Sequence, residues 1–338
     1  MFLSKWYDYI VSQGGVDSWK YPFHNYPMPY IYLLTFFSYL PLEKLYAVKL
    51  LSVTFDFMAA FMVFKIVRLK YKDRFGIPVL AAAVFLFTPT VFMNSSGWGQ
   101  CDVIYTAFLL VSGYYCLKQK YFLTFLFFGI AFSFKIQSVF FVPVLFLFWY
   151  KERFNLLCFF IIPAVYLVSI LPAFIAGRGM VDLLSIYIHQ SDLYPQLNLN
   201  APNFYAWISN DYYDALLPIG LLFSFLLVCM AIYFIIRQNK KISTERWIEI
   251  MLLFLLLVPY TLPKMHERYF FPADTFSVLY LFYFVKRYYL TLVTIGGSLL
   301  VYPPINHLKI PEYAMILTSF ALFFTVYFLF RSKNRSFL

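Results

Sequence analysis

The segment Met251–Val285 has the sequence MLLFLLLVPYTLPKMHERYFFPADTFSVLYLFYFV, in which a short polar turn separates two apolar runs. The apolar runs are residues 251–263 and 269–285. Between them lie four titratable side chains, those of Lys264, His266, Glu267 and Arg268. Apolar runs that border such a turn are typical of successive membrane-spanning helices. We therefore expect a membrane protein whose chemistry is concentrated at residues 264–269.

The composition of the whole chain supports this class. Its 338 residues are 62% hydrophobic and only 13% charged, and the mean hydropathy is +0.71. So few polar residues cannot cover the surface of a soluble globule. The net charge of +11 is typical of the basic cytoplasmic loops of membrane proteins, so no nucleic-acid partner is expected. The sequence predicts an all-α polytopic membrane protein.

Apolar segments along the chain predict about eleven membrane-spanning helices. They lie near residues 47–67, 77–93, 103–117, 121–136, 138–150, 155–175, 215–236, 247–263, 269–285, 289–303 and 313–330. One long helix would also explain residues 121–150. Basic pairs flank both ends of this stretch, however, and an even number of crossings is needed to keep them on one side. A hairpin with Lys135 and Gln137 at its outer tip satisfies this condition.

Positive charge in alternate connections predicts the orientation of the chain. One set of connections holds 18 of the 27 Lys and Arg residues, and the positive-inside rule makes that set cytoplasmic. Its members are Lys65, Arg68, Lys70, Lys72, Arg74, Lys118, Lys120, Lys151, Arg153, Arg237, Lys240, Lys241, Arg246, Lys286, Arg287, Arg331, Lys333 and Arg335. The opposite, outer face is then expected to carry Asp102, Lys135, residues 176–214 and the turn 264–269.

We interpret residues 1–338 as one transmembrane domain that begins with an outer loop, residues 1–44. Nothing after Met1 could carry this loop across the membrane, so a first span is expected upstream. Residues 29–40 are too short to span and predict an interfacial helix with aromatic residues at headgroup level. The large loop 176–214 shows little hydrophobic periodicity and is expected to cover a substrate groove.

Eight residues on the predicted outer face suit a donor that carries a phosphate. They are Asp102, Lys135, Gln137, Lys264, His266, Glu267, Arg268 and Tyr269. Arg and Lys bind phosphate oxygens, and His can donate a proton to a leaving oxygen near neutral pH. A carboxylate can accept the proton of an attacking sugar hydroxyl. Two structural alternatives stay open, a salt-bridged interfacial turn at 264–269 and a helix-capping role for Asp102.

Four motifs in order along the chain resemble those of the GT-C class of integral-membrane glycosyltransferases. The branch that is most similar is related to the second mannosyltransferase of glycosylphosphatidylinositol synthesis. The motifs are Trp6-Tyr7-Asp8 with Asn25-Tyr26-Pro27-Met28-Pro29-Tyr30, Gly97-Trp98-Gly99-Gln100-Cys101-Asp102, Lys135-Ile136-Gln137, and Lys264-Met265-His266-Glu267-Arg268-Tyr269. The resemblance covers almost the whole chain. It implies an inverting enzyme that transfers a mannosyl- or glucosyl-type hexose from a polyprenyl-phosphate monosaccharide to a cell-surface glycan or lipid-linked acceptor.

The resemblance also implies roles for individual residues. The catalytic set would be Asp102, His266 and Glu267, with Glu267 orienting its neighbours. The donor-phosphate set would be Lys135, Gln137, Lys264, Arg268 and Tyr269. The first outer loop would contribute Trp6, Asp8, Tyr26 and Tyr30. The family's catalytic acid lies before the position of Trp6, hence upstream of Met1, so Asp8 is not expected to be the general base. No metal or other cofactor is expected, because cationic side chains can stabilise a phosphate leaving group.

Three other functions stay open. A transporter of polysaccharides or lipid-linked sugars would need a polar path through several spans, and only Lys49, Asp56 and Asp274 are clearly intramembrane charges. An envelope glycan polymerase would share the aromatic composition and the large outer loop. An inactive, truncated remnant would explain the missing base. The expected location is a bacterial plasma membrane with the active face outside, or the endoplasmic reticulum membrane in a eukaryote.

Overall fold

A computed structural model describes residues 2–238, 241–302 and 311–331. Fifteen α-helices make up most of this part of the chain. They are α1 (Phe2–Ser12), α2 (Met28–Ser38), α3 (Lys44–Lys70), α4 (Gly76–Leu86), α5 (Pro89–Phe92), α6 (Asp102–Leu117), α7 (Tyr121–Phe134), α8 (Val142–Glu152), α9 (Ile161–Ile175), α10 (Met180–Asp192), α11 (Tyr213–Ile236), α12 (Thr244–Thr261), α13 (Phe271–Tyr283), α14 (Tyr288–Leu300) and α15 (Pro311–Arg331).

Four helical segments of the described chain are long and apolar enough to cross a membrane. They are Lys44–Lys70, Leu156–Ile175, Asn210–Ile236 and Tyr313–Arg331, and the bent pair Gly76–Leu86 with Pro89–Gly97 would make a fifth. The protein is therefore an all-α membrane protein, while the count of eleven spans stays a prediction. One predicted span ends at residue 303, and Lys240, Lys333 and Arg335 belong to the predicted cytoplasmic set; all four positions lie outside the described residues.

The stretch 121–150 is not one continuous helix. Helix α7 ends at Phe134, and Lys135 adopts an extended backbone with φ −158° and ψ 133°. A 3₁₀ turn, Ile136–Phe141, then leads into α8, whose Pro143 occupies the first helical turn, where a missing N–H costs nothing. The structure thus agrees with the prediction of two short helices, and it places Lys135 at the break.

The described residues form two compact units. The first comprises Met1–Met62, Phe92–Val139 and Asn155–Tyr194, and the second comprises Val63–Val91, Phe140–Phe154 and Pro195–Leu338. The interpretation of residues 1–338 as one domain stays a prediction.

In the first unit, α7 packs against both α6 and α9. Gly129 of α7 allows the close approach of α9, because a Cβ at that position would lie 3.0 Å from Cβ of Val165. Helix α2 forms where an interfacial helix was predicted, and it contacts α7 and α9. The large loop 176–214 contains a helix of 13 residues, α10. The sequence of this loop shows little hydrophobic periodicity, but Leu183 and Ile186, three residues apart, are buried on one side of α10.

In the second unit, α12, α13, α14 and α15 pack in succession, and α12 also contacts α15. Two-residue strands, β1 (Asn198–Leu199) and β2 (Met265–His266), form a parallel pair. An antiparallel bridge between Asn200 and His266 extends this pairing. These are the only strands in the described ranges, and they join the large loop to the polar turn 264–269. The second half of that loop therefore lies against the residues that were expected to carry the chemistry.

Candidate functional site

In the first unit, Asp102 and Lys135 form a buried ion pair at the break after α7. The Lys135 Nζ donates to Asp102 Oδ1, and the exposed fractions of these residues are 6% and 0%. Asn94 Nδ2 donates to Asp102 Oδ2 at 3.0 Å. The N-cap residue of α6 is Cys101, so Asp102 does not occupy the capping position, although its carboxylate lies in the first turn, where it suits the helix dipole. The carboxylate of Asp102 also positions the Lys135 ammonium.

A π-helical turn, Met93–Gly97, supplies the second partner of Asp102. Ser95, next to Asn94 in this turn, donates its hydroxyl to Asp56 Oδ1 at 2.8 Å. Adjacent residues of one turn thus donate hydrogen bonds to two different buried carboxyl groups. Such π-helical turns occur frequently at functional sites. Asn94 was not among the predicted site residues; its place just before the Gly97–Asp102 motif is the signal that could have identified it.

Aromatic rings surround the Lys135 ammonium. Its Nζ lies 5.9 Å from the ring centroid of Tyr26 and 5.6 Å from that of Tyr105, distances at which a cation is attracted to a ring face. The Tyr26 ring packs edge-on against Trp6 at 5.0 Å and against Tyr30 at 5.5 Å. Three predicted residues of the first outer loop therefore come together beside Lys135.

Asp8, the fourth predicted residue of that loop, lies elsewhere. Its carboxylate is exposed and pairs with Lys44 Nζ at 2.9 Å. An exposed pair of this kind contributes at most about 1 kcal/mol to stability. The structure therefore separates Asp8 from the cluster of Trp6, Tyr26 and Tyr30.

Two predicted residues of the first unit carry buried polar atoms that lack a hydrogen-bond partner among the described residues. They are the hydroxyl of Tyr30 and Oε1 of Gln137, in side chains that are 1% and 8% exposed. Burying such an atom without a partner costs about 1–3 kcal/mol, so native proteins rarely do it. A ligand hydroxyl can donate to Gln137 Oε1, whereas a phosphate oxygen without a proton cannot. This chemistry favours a group with an O–H or N–H donor over a phosphate oxygen as the partner of Gln137 Oε1.

A second buried polar cluster connects the large loop to residues 24–28. Arg178 Nη1 donates to His24 Nε2 at 2.6 Å, and Arg178 also pairs with Asp182. Nδ1 of His24 lies 2.7 Å from the carbonyl oxygen of Tyr26. These contacts require a neutral imidazole with its proton on Nδ1, because Nε2 must accept from a guanidinium. The cluster fixes the backbone of Tyr26, whose ring contacts Lys135.

His24 gives the folded protein a defined dependence on pH. Burial and the Arg178 charge lower the pKa of His24 from 6.5 to about 3. Above pH 6.5 the imidazole is neutral in the folded and unfolded chains. As the pH falls from 6.5 towards 3, only the unfolded chain binds the proton, so the free energy of unfolding decreases by at most about 1.4 kcal/mol per pH unit.

We expect His24→Gln to weaken this dependence. Thermal unfolding of the solubilised protein, measured above pH 6.5 and at about pH 5, should show a smaller loss of stability for the variant than for the wild type. His189→Gln, a change in an exposed histidine of α10, is the matched control. Equal acid losses in the wild type and His24→Gln would contradict the neutral buried imidazole.

In the second unit, the polar turn begins at Lys264, which adopts a left-handed backbone with φ 64°. Its backbone N–H donates to the carbonyl of Leu197 at 2.7 Å. Its Nζ donates to the hydroxyl of Tyr213 at 2.8 Å. Lys264 is therefore held at both ends by the segment that contains β1, so its ammonium has a fixed position.

Asn203 joins this segment to the end of α12. Its side chain is fully buried, and Nδ2 donates to the carbonyls of Pro259 and Leu262 at 3.2 and 3.0 Å. Its Oδ1 accepts from Asn198 Nδ2 at 2.8 Å and from the Tyr205 N–H at 3.1 Å. The sequence does not single out Asn198, Asn200 or Asn203 as site residues, because their pairing with residues 259–266 is distant along the chain.

Glu267 lies between two other titratable residues of the turn, His266 and Arg268. Its Oε1 accepts from Arg268 Nη1 at 3.0 Å, and its Oε2 lies 3.7 Å from His266 Nδ1. Burial of the Glu267 carboxyl opposes ionisation, but the His266 imidazole and the Arg268 guanidinium outweigh this effect. The pKa of Glu267 consequently lies below its usual value. Glu267 is an ionised acceptor at neutral pH, which suits the orienting role predicted for it.

The ion pair between Glu267 and Arg268 is the feature that the alternative of a salt-bridged turn requires. That alternative does not explain His266, whose imidazole packs edge-on against Tyr269 with 5.1 Å between ring centroids. The side chains of His266 and Arg268 are 17% and 15% exposed, so both are partly accessible at this turn. A fixed imidazole and guanidinium suit recognition of an anionic oxygen.

No three His, Cys, Asp or Glu side chains of the described residues are arranged to hold a metal ion. The prediction that no metal is needed therefore still depends on the cationic residues of the two units.

No protein-family model matches this sequence, and no curated protein matches it either. The class that the fold defines is an all-α membrane protein, and any finer assignment depends on the motifs and on the geometry around them.

Proposed function

We propose that this chain is a membrane glycosyltransferase. Its donor is a polyprenyl-phosphate monosaccharide, and its acceptor is a cell-surface glycan or a lipid-linked sugar. The observation that carries the proposal is the turn 264–269, where Glu267 orients a partly exposed imidazole and guanidinium and β1 holds the backbone in place. The resemblance of four ordered motifs supplies the reaction class.

In the proposed reaction, an acceptor hydroxyl attacks the anomeric carbon of the donor sugar, and the proton of that hydroxyl passes to water. The bond from that carbon to the phosphate oxygen breaks, and polyprenyl phosphate leaves with the bonding electrons. Arg268 and Lys264 stabilise the negative charge that develops on the phosphate, and His266 donates a hydrogen bond or proton to the leaving oxygen. Tyr269 packs against His266 and limits its orientation.

The residues of the first unit are proposed to bind a sugar. Lys135 supplies the positive charge of this sugar site. Asp102 positions Lys135 rather than binding the sugar itself, because both carboxylate oxygens of Asp102 already accept hydrogen bonds. Tyr30 and Gln137 bind hydroxyl groups, and the rings of Trp6 and Tyr26 provide an apolar surface for the C–H face of a sugar ring. This changes the predicted roles of Gln137, from phosphate to hydroxyl recognition, and of Asp102, from catalysis to positioning.

The proposal includes the finer membrane arrangement. The chain is placed in a bacterial plasma membrane with about eleven spans and its active residues outside. The distribution of Lys and Arg supports this orientation. An endoplasmic reticulum enzyme with the active face in the lumen would have the same arrangement.

Transport is the second candidate function, and one structural observation bears on it. Asp56 and Asp274 are buried, at 5% and 0% exposure, as carboxyl groups of a transport path would be. Each, however, accepts a hydrogen bond from a serine, Ser95 and Ser298 respectively, at 2.8 Å. Such pairs also stabilise helix packing, so these residues favour transport less than the turn 264–269 favours transfer.

The donor assay tests the proposal. The full chain is reconstituted in liposomes with membrane extract as the source of acceptor, and release of polyprenyl phosphate from radiolabelled polyprenyl-phosphate hexose is measured. We expect release that depends on the chain, and no transfer when the hexose is supplied on a nucleotide. Transfer from the nucleotide sugar would contradict the proposed donor class.

A further inference from the structure

Two apolar grooves lie beside helices α12 and α15 of the second unit. The outer groove has a volume of about 620 Å³, and its lining includes Trp207 of the large loop, Tyr260 of α12 and Phe320 of α15. Its lining side chains contribute two hydroxyls, those of Tyr260 and Ser319, and these hydrogen-bond to each other at 2.6 Å. The groove therefore offers little to a polar ligand and suits a hydrocarbon chain.

The inner groove has a volume of about 370 Å³ and lies between α11, α12 and α15. On α15, the outer groove is lined by Ile316, Phe320 and Phe323, and the inner groove by Val326 and Phe330. These residues are spaced by three or four positions, so they share one face of the helix. On α12, Tyr260 of the outer groove and Leu257 and Leu253 of the inner groove share a face for the same reason. The two grooves therefore occupy successive turns of the same two helix faces.

The length of this combined surface distinguishes between lipids. From Ile316 to Phe330, α15 rises about 21 Å at 1.5 Å per residue. The hydrocarbon core of a bilayer is about 30 Å thick, so one leaflet accounts for about 15 Å. The acyl chains of a phospholipid belong to one leaflet, whereas a long isoprenoid chain extends past the bilayer midplane. Measured along α15, the surface is therefore longer than one leaflet, which fits the longer chain.

The outer end of the surface adjoins the polar turn along the chain. Helix α12 ends at Thr261, three residues before Lys264, and Trp207 belongs to the segment whose strand β1 pairs with β2. The turn carries Lys264, His266 and Arg268, which complement a phosphate. A cationic turn and a long apolar surface on the same unit match a lipid with an anionic head and a long chain.

We infer that the two grooves form one continuous binding track for the isoprenoid chain of a lipid phosphate, and that the track selects long chains over short ones. The inference rests on the proposed function, because it assigns the carrier lipid of the proposed donor. The bilayer is as apolar as the track, so transfer of the chain from lipid to protein gains no hydrophobic free energy. Selection therefore comes from packing contacts, and we expect about fivefold tighter binding of a long chain than of a short one.

The test compares undecaprenyl phosphate with geranyl phosphate. Binding of each to the full chain in nanodiscs is measured without sugar or acceptor, so it does not require transfer. Val326→Trp fills the inner groove at a residue that is 36% exposed. Met230→Trp fills the same groove from α11, where the side chain is 50% exposed, and is used if the first variant does not fold. Phe225→Trp, 63% exposed on α11 and outside both grooves, is the matched control.

We expect Val326→Trp to weaken binding of undecaprenyl phosphate about fivefold, to the level of geranyl phosphate. Binding of geranyl phosphate to this variant, and binding of both phosphates to the control variant, should be unchanged. Equal affinity for both phosphates in the wild type, or an unchanged preference in both groove variants, would overturn the track. A photoreactive phosphatidylglycerol that labels the inner groove as efficiently as photoreactive undecaprenyl phosphate would also overturn it. If the wild-type chain transfers no sugar but still binds undecaprenyl phosphate more tightly than geranyl phosphate, the proposed function is contradicted while the binding track is supported.

Discussion

Replacing Lys135 by Met is expected to abolish glycosyl transfer and to destabilise the protein. The change leaves Asp102, which is fully buried, without its cationic partner. Removing one member of a buried ion pair costs about 3–5 kcal/mol. Loss of a positioned cation from the site should lower the rate of transfer by about 10²-fold or more. Product formation and thermal unfolding of the solubilised variant measure the two effects.

The double variant Lys135→Met/Asp102→Leu separates structure from chemistry. Removing both charges relieves the unpaired carboxylate, so stability should recover to within about 1–2 kcal/mol of the wild type. Transfer should stay lost, because the cation is still missing. A double variant that folds and transfers sugar at the wild-type rate would show that the pair is only structural.

Replacement of His266 or Arg268 by Ala should have the second large effect. Each change removes a donor that is proposed to act on the phosphate of the leaving group. We expect surface glycan to be abolished in cells, and transfer in vitro to fall about 10²–10³-fold. The amount of protein and its membrane insertion should be unchanged, because both side chains are partly exposed.

Two variants control this experiment. Lys286→Ala removes an exposed cation from the predicted cytoplasmic side and should retain full activity. Arg268→Ala/Glu267→Gln also removes the carboxylate that Arg268 pairs with, so it tests whether an unpaired Glu267 causes the loss. Normal glycan from both His266→Ala and Arg268→Ala would remove the turn 264–269 from the mechanism.

Hydropathy was sufficient to predict the long helices. Four predicted spans coincide with α3, with α11, with α15 and with the segment Leu156–Ile175, which contains α9. Each of the four contains an apolar window long enough for a bilayer. Helices such as α13 and α14, with 13 residues each, are too short for that criterion. Their role depends on packing against neighbours, which the composition of a single segment does not encode.

Motif order located the first-unit cluster but did not predict its contacts. Trp6, Tyr26, Tyr30, Lys135 and Asp102 were all named from the sequence, and the structure brings them together. Asp8 differs because it follows Trp6 by two residues, about 200° around α1, so that Trp6 is buried and Asp8 is exposed. The π-helical turn that supplies Asn94 had no recognisable pattern, since an inserted residue in a helix leaves the local composition unchanged.

Long-range contacts explain the remaining omissions. His24 and Arg178 are 154 residues apart, and nothing local to either one predicts the other. The strands β1 and β2 have two residues each, so no alternating pattern could reveal them. Asn203 was visible only as one of several asparagines in a loop. Two of its four hydrogen bonds go to carbonyls at the end of α12, which is distant along the chain.

The donor assay is the most direct test of the central claim, that the cationic turn 264–269 serves transfer from a lipid phosphate. Liposomes with the wild-type chain, with Arg268→Ala and with Lys286→Ala are compared on radiolabelled polyprenyl-phosphate hexose. We expect release of polyprenyl phosphate and labelled glycan by the wild type and Lys286→Ala, and neither product from Arg268→Ala. Equal release by all three proteins, or label incorporated only from a nucleotide hexose, would contradict it.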